Sequence, residues 1–520
     1  MMYRLLSRSR LALVLAVLIG LVSGCGETPQ TSEPDPEPPT SGTEAEPAAI
    51  QIDGDVGDWA DATRTHTDPE GDGGTLDLRR LRVASDATYL FLQMDLAARM
   101  NLQEGNDLTL YLDTDADAST GRSSDPAGAD VSWSFGERSG RVYGDDGSAT
   151  EVSHADLGFT SLPTVRSDAF EIALNRAATP AGQALVPGDS VRVVLEGGGD
   201  RLPDGTETVS VALAAEGSSI QPTEIGRTNP QAVRFLSYNV LFGRLFEAEA
   251  RPAYERLLAA MQPDVLGFQE IYDRGAEATR QRVADLLDAP DGGEWHAAKA
   301  GPDLVAVSRY PITATHEISG YRSDDQTYNS GAFVLDTGGA LGGPTVFVLA
   351  HPPCCNSTET PTRDEQRQIV VDGIAAFVRD VQQGEGPFDV PENTPIVVAG
   401  DMNFVGSPQQ PQTLRTGEII NTDRFGPSAA PDWDGSDLLD TNPRQVATPI
   451  HATWDDPESS FPPGRLDYTY VSDSVLDVAN EYVLHTPSLP DSVLNAHGLQ
   501  ADDSSVASDH LPVVVDVVRK

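Results

Sequence analysis

The hydrophobic pattern of this chain changes period once, near Val233, and that change limits what each half can become. Before it, short runs such as Tyr89-Leu-Phe-Leu-Gln-Met-Asp95, Leu108-Thr-Leu-Tyr-Leu112 and Ser190-Val-Arg-Val-Val-Leu195 are separated by Gly- and Asp-rich turns. Successive side chains of a strand point to opposite faces, so these runs predict the strands of an all-β sandwich over residues 48–216. After the change, strand-like runs alternate with helical ones. Val233–Tyr238, Asp264–Gln269, Pro395–Ala399 and Leu511–Val517 read as strands, and Ala248–Met261 and Arg363–Val381 as helices. Thr362 and Glu365 have the spacing of a capping box, and Val370, Ile374, Phe377, Val378 and Val381 fall on one helical face. Residues 233–520 therefore predict a layered α/β domain. At 520 residues the chain exceeds one ordinary core, and residues 217–232, with Ser218, Ser219, Pro222 and Pro230, read as a linker.

The first residues read as a targeting segment rather than as part of either fold. Arg4, Arg8 and Arg10 precede an apolar run from Leu11 to Val22, shorter than the roughly 20 residues a bilayer span needs. Leu21-Val-Ser-Gly-Cys25 resembles a bacterial lipobox. That resemblance implies a signal peptide over 1–24, acylation of Cys25, export, and anchoring in the bacterial cell envelope, at the outer membrane or cell surface. The competing reading is a soluble secreted protein. Residues 25–47, rich in Pro, Glu, Ser and Thr, are expected to form a disordered tether.

The formal charge of −45 becomes −48 once the three signal arginines are removed, and only Lys299 and Lys520 are lysines. Such a surface repels nucleic acid at low salt, although near 1 M salt the Debye length is only about 3 Å. Acid-rich, lysine-poor composition suggests adaptation to a saline habitat. Asp113, Asp115 and Asp117 alternate as Ca²⁺ ligands can, yet no Gly at the sixth position or Glu at the twelfth completes an EF-hand loop, and a solvated turn is preferred. Cys354 and Cys355 are adjacent and read as free or vicinally oxidised thiols rather than as metal ligands.

Polar residues cluster at the ends of the apolar runs in the second half: Ser237-Tyr-Asn239, Gln269-Glu270, His351, Gly400-Asp-Met-Asn403, Arg465-Leu-Asp467 and Ser508-Asp-His510. Strand ends are where a sheet presents groups to a cleft. In this order the set resembles the endonuclease/exonuclease/phosphatase superfamily, over about 285 residues. The resemblance implies a four-layer DNase I-like sandwich and a metal-dependent phosphodiesterase. It matches Glu270, Asn239 and Asp509 to the metal site, and Asn239 and Asn403 to the substrate phosphate. It matches Asp401, Asn403, Asp467, His351 and His510 to catalysis, with Asp467 orienting His510. Leu241 stands where abasic-site endonucleases carry an acidic residue, which argues against that branch. In the first half, Ile52-Asp-Gly-Asp-Val-Gly-Asp-Trp59 with Tyr89-Leu-Phe-Leu and Leu112-Asp-Thr-Asp-Ala-Asp117 resembles family 9-like carbohydrate-binding modules, implying a glycan partner.

Hard carboxylate ligands suit Mg²⁺ or Mn²⁺, with Ca²⁺ as an alternative, and the absence of a His/Cys cluster disfavours zinc. The expected protein is thus a monomeric, lipid-anchored hydrolase of phosphodiesters, nuclease-like on extracellular nucleic acid. The alternatives are the same chemistry on phospholipid or small phosphoesters, or a non-catalytic surface-binding lipoprotein.

Overall fold

The computed structural model describes residues 50–520 apart from 63, 123–127, 145–146, 216–219, 323–326 and 356–360. The expected signal peptide, Cys25 and the 25–47 tether therefore lie outside the described residues, as do the first three residues of the expected linker.

Among the described residues, two antiparallel sheets of five and seven strands fill the N-terminal half. Tyr89–Met100 is central to the first and Thr109–Asp113 to the second. Their inward side chains form one core that includes Leu81, Leu92, Leu110, Trp133, Phe170 and Val193. The three runs read as strands are all present, the first extended to Met100. Asp115 and Asp113 approach Asp130, within 4.8 Å between ligand oxygens, whereas Asp117 instead closes its own turn on Ser119.

Two six-stranded sheets make up the C-terminal half. One orders its strands His296–Ala300, Leu304–Ser308, Val265–Gln269, Val233–Asn239, Val513–Arg519 and Leu476–Val483. The other runs Ile312–Arg322, Thr327–Asp336, Pro344–Ala350, Ile396–Asp401, Asp467–Val471 and Leu439–Asp440. The sheets bury a shared layer containing Phe235, Val265, Phe347, Val397 and Val515. Gly267 lets them meet, because a Cβ there would stand 2.3 Å from Leu349 Cδ2. On the outer faces lie the helices Arg251–Met261 and Arg363–Gln382, each packed by an apolar stripe. The first helix starts later than its pattern suggests, with Pro252 in its opening turn, where a missing N–H does no harm. The second opens with the Thr362/Glu365 capping box. The last strand begins only at Val513, after Pro512, which has no N–H for a ladder.

Among the described residues, the parallel neighbours of these sheets sit at their centres: Val233–Asn239 with Val265–Gln269, and Pro344–Ala350 with Ile396–Asp401. Parallel strands end on the same edge, so the residues that follow them share a rim.

Residues 48–520 pack as one compact unit. Ile52 and Trp59 share a small core with Ile450 and Ala452. Thr164 Oγ1 donates to Phe404 O (2.8 Å) and Arg465 O (3.1 Å), and Arg166 N–H donates to Gly406 O (2.8 Å). The described part of the 217–232 stretch also packs down, with Ile225 buried and Arg227 paired to Asp264 at 2.6 Å. Beside it Arg234 is buried and forks onto both oxygens of Asp516, at 2.6 and 2.7 Å. Removing one partner strands the other charge, so Asp516→Ala is expected to lower unfolding free energy by about 3 kcal/mol or more in urea denaturation.

Candidate active site

The four central strands deliver one polar residue each to their shared rim. Asn239 ends the first, Glu270 follows the second, His351 follows the third and Asp401 ends the fourth. Three antiparallel neighbours begin at that rim and add the residues before or at their starts. Asp467 lies opposite Asp401 in register, Asp303 precedes Leu304–Ser308, and His510 precedes Val513–Arg519. Residues separated by as many as 271 positions in sequence are thus placed by strand direction alone.

Asp401 is the buried centre. Its Oδ2 accepts from Asn239 Nδ2 at 3.0 Å and faces His510 Nε2 at 3.4 Å and His351 Nε2 at 3.5 Å. Its Oδ1 accepts from the Asn403 N–H at 3.1 Å. Burial raises its pKa to about 6 and the nearby Asp467 adds to the rise, while the two histidines pull it down. Gly400 makes this placement feasible: its φ is +146°, and a Cβ would lie 2.0 Å from Ala350 O.

Each histidine is backed by its own carboxylate. His510 Nδ1 donates to Asp467 Oδ2 at 2.9 Å, and that oxygen also accepts from Thr453 Oγ1 at 2.8 Å. Burial disfavours the charged ring, but Asp467 and Asp401 outweigh it and carry His510 to about 10. His351 Nδ1 donates to Asp303 Oδ2 at 2.6 Å. Against the same burial, Asp303, Asp401 and Glu270 lift His351 to about 9. Both rings are therefore cationic at neutral pH.

Glu270 borders the opening. Its Oε1 accepts from Asn239 Nδ2 at 3.1 Å, its Oε2 from the Phe242 N–H at 2.6 Å, and its own N–H donates to Asp303 Oδ2 at 3.2 Å. A φ of +66° at Glu270 turns the chain sharply after the strand. Such a conformation is uncommon for a side chain of this size and marks a constrained position. Asn403, also at positive φ, donates from Nδ2 to Pro352 O at 3.2 Å, tying it to the segment after His351. Asp509 is engaged by Trp454 Nε1 at 3.0 Å and Ser508 Oγ at 3.3 Å, and its charge acts on His510. Cys354 and Cys355, in the same segment as Pro352, are joined as a vicinal disulfide, the oxidised of the two thiol states.

All the site residues expected from sequence except Cys25 are described, and Asn239, Glu270, His351, Asp401, Asn403, Asp467 and His510 form one connected network. Asp509 adjoins it through His510. Sequence reasoning missed Asp303 and Thr453. Asp303 had the same signal as the others, a polar residue bordering an apolar strand, in Gly301-Pro-Asp-Leu-Val-Ala-Val-Ser308. Thr453 sits in a loop and had none. Glu270, Asp303, Asp401, Asp467 and Asp509 outnumber the two histidines, leaving an anionic surplus of oxygen donors. That donor set fits a hard divalent cation, and ligand atoms of Asp401, Asp467 and His510 lie within 4.8 Å of one another, while Asn239 Nδ2 bridges Glu270 and Asp401.

Residues 236–510, more than half of the chain, match the model of the Endonuclease/Exonuclease/phosphatase family. The chain belongs to this family. Endonuclease/exonuclease/phosphatase proteins are hydrolases of phosphoesters and commonly use divalent metals, and the acidic groups gathered here could hold one. Similar solved structures include ANGEL2, a 2',3'-cyclic phosphatase (15% identity, 55% of this chain and 95% of the other, TM-score 0.37). Others are sphingomyelinase C from Streptomyces griseocarneus (16%, 55% and 99%, 0.32) and the AP endonuclease LMAP from Leishmania major (13%, 56% and 88%, 0.32). No curated protein sequence matches the chain.

Asp303→Asn removes the charge that holds His351 protonated. The ring is then expected to titrate well below about 9, towards the ordinary value near 6.5, in an NMR pH titration of its carbon-bound protons.

Proposed function

We propose that this family hydrolase is a divalent-metal-dependent phosphodiesterase, exported and held in the bacterial envelope through Cys25. The observation that carries the reading is the meeting of one buried carboxylate, Asp401, with two carboxylate-backed histidines within 3.5 Å. Phosphodiester hydrolysis needs a proton acceptor for water, a donor for the leaving oxygen and positive charge around the phosphoryl group. Glu270 and Asn239, with Asp509 beside them, would hold Mg²⁺ or Mn²⁺, with Ca²⁺ as an alternative, to neutralise phosphoryl charge.

The chain's own residues supply the rest. Asp401, ionised above about 6, takes the proton of the attacking water. His510, kept cationic by Asp467, donates a hydrogen bond to a phosphoryl oxygen, and Asn403 and Asn239 orient the phosphate without adding charge. His351, kept cationic by Asp303, protonates the leaving oxygen. The acid and the base coexist in opposite protonation states at neutral pH, because burial raises Asp401 only to about 6 while the carboxylates lift His351 to about 9 and His510 to about 10.

Extracellular nucleic acid is the substrate class we favour. Phe242 is 77% exposed and Tyr272 44% exposed, and their rings stand 6.2 Å apart next to Glu270. Exposed rings beside a phosphate site suit stacked bases. The net charge of −45 favours a second reading, small phosphodiesters, whose binding needs no long anionic approach. The N-terminal sheets we assign to a glycan-binding module over 48–216, separated by the 217–232 segment from the catalytic domain at 233–520. A glycan pull-down recovering nothing would remove that assignment.

Activity with Mg²⁺ or Mn²⁺ is to be compared on plasmid DNA, bis-p-nitrophenyl phosphate and sphingomyelin. EDTA is expected to abolish turnover, and His510→Ala to lower it by roughly 10²- to 10⁴-fold. Turnover insensitive to both would sink the assignment, and sphingomyelin hydrolysis without DNA cleavage would replace the nuclease reading. The kcat/KM profile is expected to rise as pH passes about 6, where Asp401 loses its proton, and to fall above about 9, where His351 loses its own. Asp401→Asn should lose most activity, and full activity in that variant would rule out Asp401 as the base.

A further inference from the structure

The two strands that carry Asp401 and Asp467 stay paired for one step past those residues and then part. Asp401 faces Asp467 in register, and the Met402 N–H donates to Leu466 O at 2.8 Å. The oxygens that come next, Phe404 O and Arg465 O, are both acceptors and cannot bond to each other. Both residues are buried, where a carbonyl without a donor is costly. The donor comes from the N-terminal half. Thr164 Oγ1 lies 2.8 Å from Phe404 O and 3.1 Å from Arg465 O, and its single hydrogen is shared between them.

The residues after Thr164 extend this contact. Val165 packs in the same core as Met402, Phe404 and Tyr468. The Arg166 N–H donates to Gly406 O at 2.8 Å, and its guanidinium reaches Asp364 Oδ2 at 3.0 Å. Asp364 Oδ1 in turn accepts from the Ser407 N–H at 2.9 Å. Three successive residues of one half therefore run along the loop that follows Asn403 in the other. Gly464 leaves room for them, since a Cβ there would stand 2.6 Å from Thr164 Cγ2.

The N-terminal half also grips the 449–465 loop elsewhere. The Ile52 N–H donates to Pro449 O at 2.8 Å, and the His451 N–H to Ile52 O at 3.0 Å. His154 Nε2 donates to Ser459 O at 3.0 Å, and the Arg138 guanidinium lies 4.2 Å from the centre of the Phe461 ring. On its inner side the same loop bonds to the site: Thr453 Oγ1 to Asp467 at 2.8 Å, Trp454 Nε1 to Asp509 at 3.0 Å, and Thr453 O to the Leu511 N–H at 2.7 Å.

We propose that the N-terminal sheets position the phosphoesterase site, and that Thr164 is the positioning residue that sets Asn403 and Asp467 relative to each other. The role rests on the phosphodiesterase reading above and differs from glycan recognition. Thr164 touches no reacting group. It acts through Asn403, which orients the phosphate, and through Asp467, which holds His510. Both interactions count most in the transition state, so their displacement lowers kcat rather than raising KM.

The test uses the full chain with Mg²⁺ and bis-p-nitrophenyl phosphate. Thr164→Val keeps the shape of the side chain and removes the hydroxyl, Thr164→Ala removes both, and Thr164→Ser keeps the hydroxyl. The first two are expected to lose roughly 10-fold in kcat with KM close to wild type, and the third to regain the activity. Hydrogen–deuterium exchange should quicken at residues 402–407 and 464–467 in the valine and alanine variants. Leu92→Ala, a truncation in the core between the N-terminal sheets, is the stability control. It should lower the thermal midpoint and leave kcat at 25 °C unchanged. Wild-type kcat in both Thr164→Val and Thr164→Ala would overturn the proposal, as would an equal loss of kcat in Leu92→Ala. If wild type turns over no phosphodiester, the phosphodiesterase reading falls, and exchange alone then decides the bracing: unchanged rates at 402–407 and 464–467 would overturn it.

Discussion

Asp401 is enclosed at the end of a central strand, where a lone carboxylate could not remain ionised without partners. Asn239 donates to it from one sheet, the Asn403 N–H closes on it from its own loop, and the rings of His351 and His510 face it within 3.5 Å. The histidines in turn need Asp303 and Asp467, and Asp303 also accepts the N–H of Glu270. The rim is therefore a chain of mutual requirements. Each buried charge is kept by the next, and the outermost, Glu270, is only partly buried at the rim.

The geometry beneath that network is simple. Two parallel pairs at the centres of two packed sheets send four strand ends to one edge, and antiparallel neighbours bring three strand starts to the same edge. Gly267 sets how near the sheets approach, and Gly400 lets the strand reach Asp401 past Ala350 O. A packed interior moves little, so groups fixed at its rim are held in register without cost at the moment of reaction.

The N-terminal sheets take part in this support. Thr164 and Arg166 bond to the backbone at Phe404, Gly406 and Arg465, in the loops that follow Asn403 and precede Asp467. Trp59 packs beside Ile450 and Ala452, next to Thr453, whose hydroxyl is bound to Asp467. The segment from Ile225 to Arg234 likewise enters the C-terminal core rather than spanning solvent. Loops that carry site residues are thus braced from outside the family match.

Period and punctuation were enough to place the central strands and the two long outer helices. The helix read over 363–381 was legible from its capping box and its apolar face, and the central strands from their apolar runs; Pro252 and Pro512 delayed two element starts, and the strand from Tyr89 ran on to Met100. Asp303 was overlooked although it borders a strand as the other site residues do. The pairing of Asp113 with Asp130 rather than Asp117 depended on a neighbouring strand that spacing alone does not reveal. Local sequence determines which residues are strand, which are helix, and that polar groups sit where strands end, because those properties depend on neighbours a few positions away. Which ends meet, which carboxylate backs which histidine, and that Thr164 closes on Phe404 and Arg465 were decided only by the tertiary structure. Strand order and direction bring together residues that no local interaction connects.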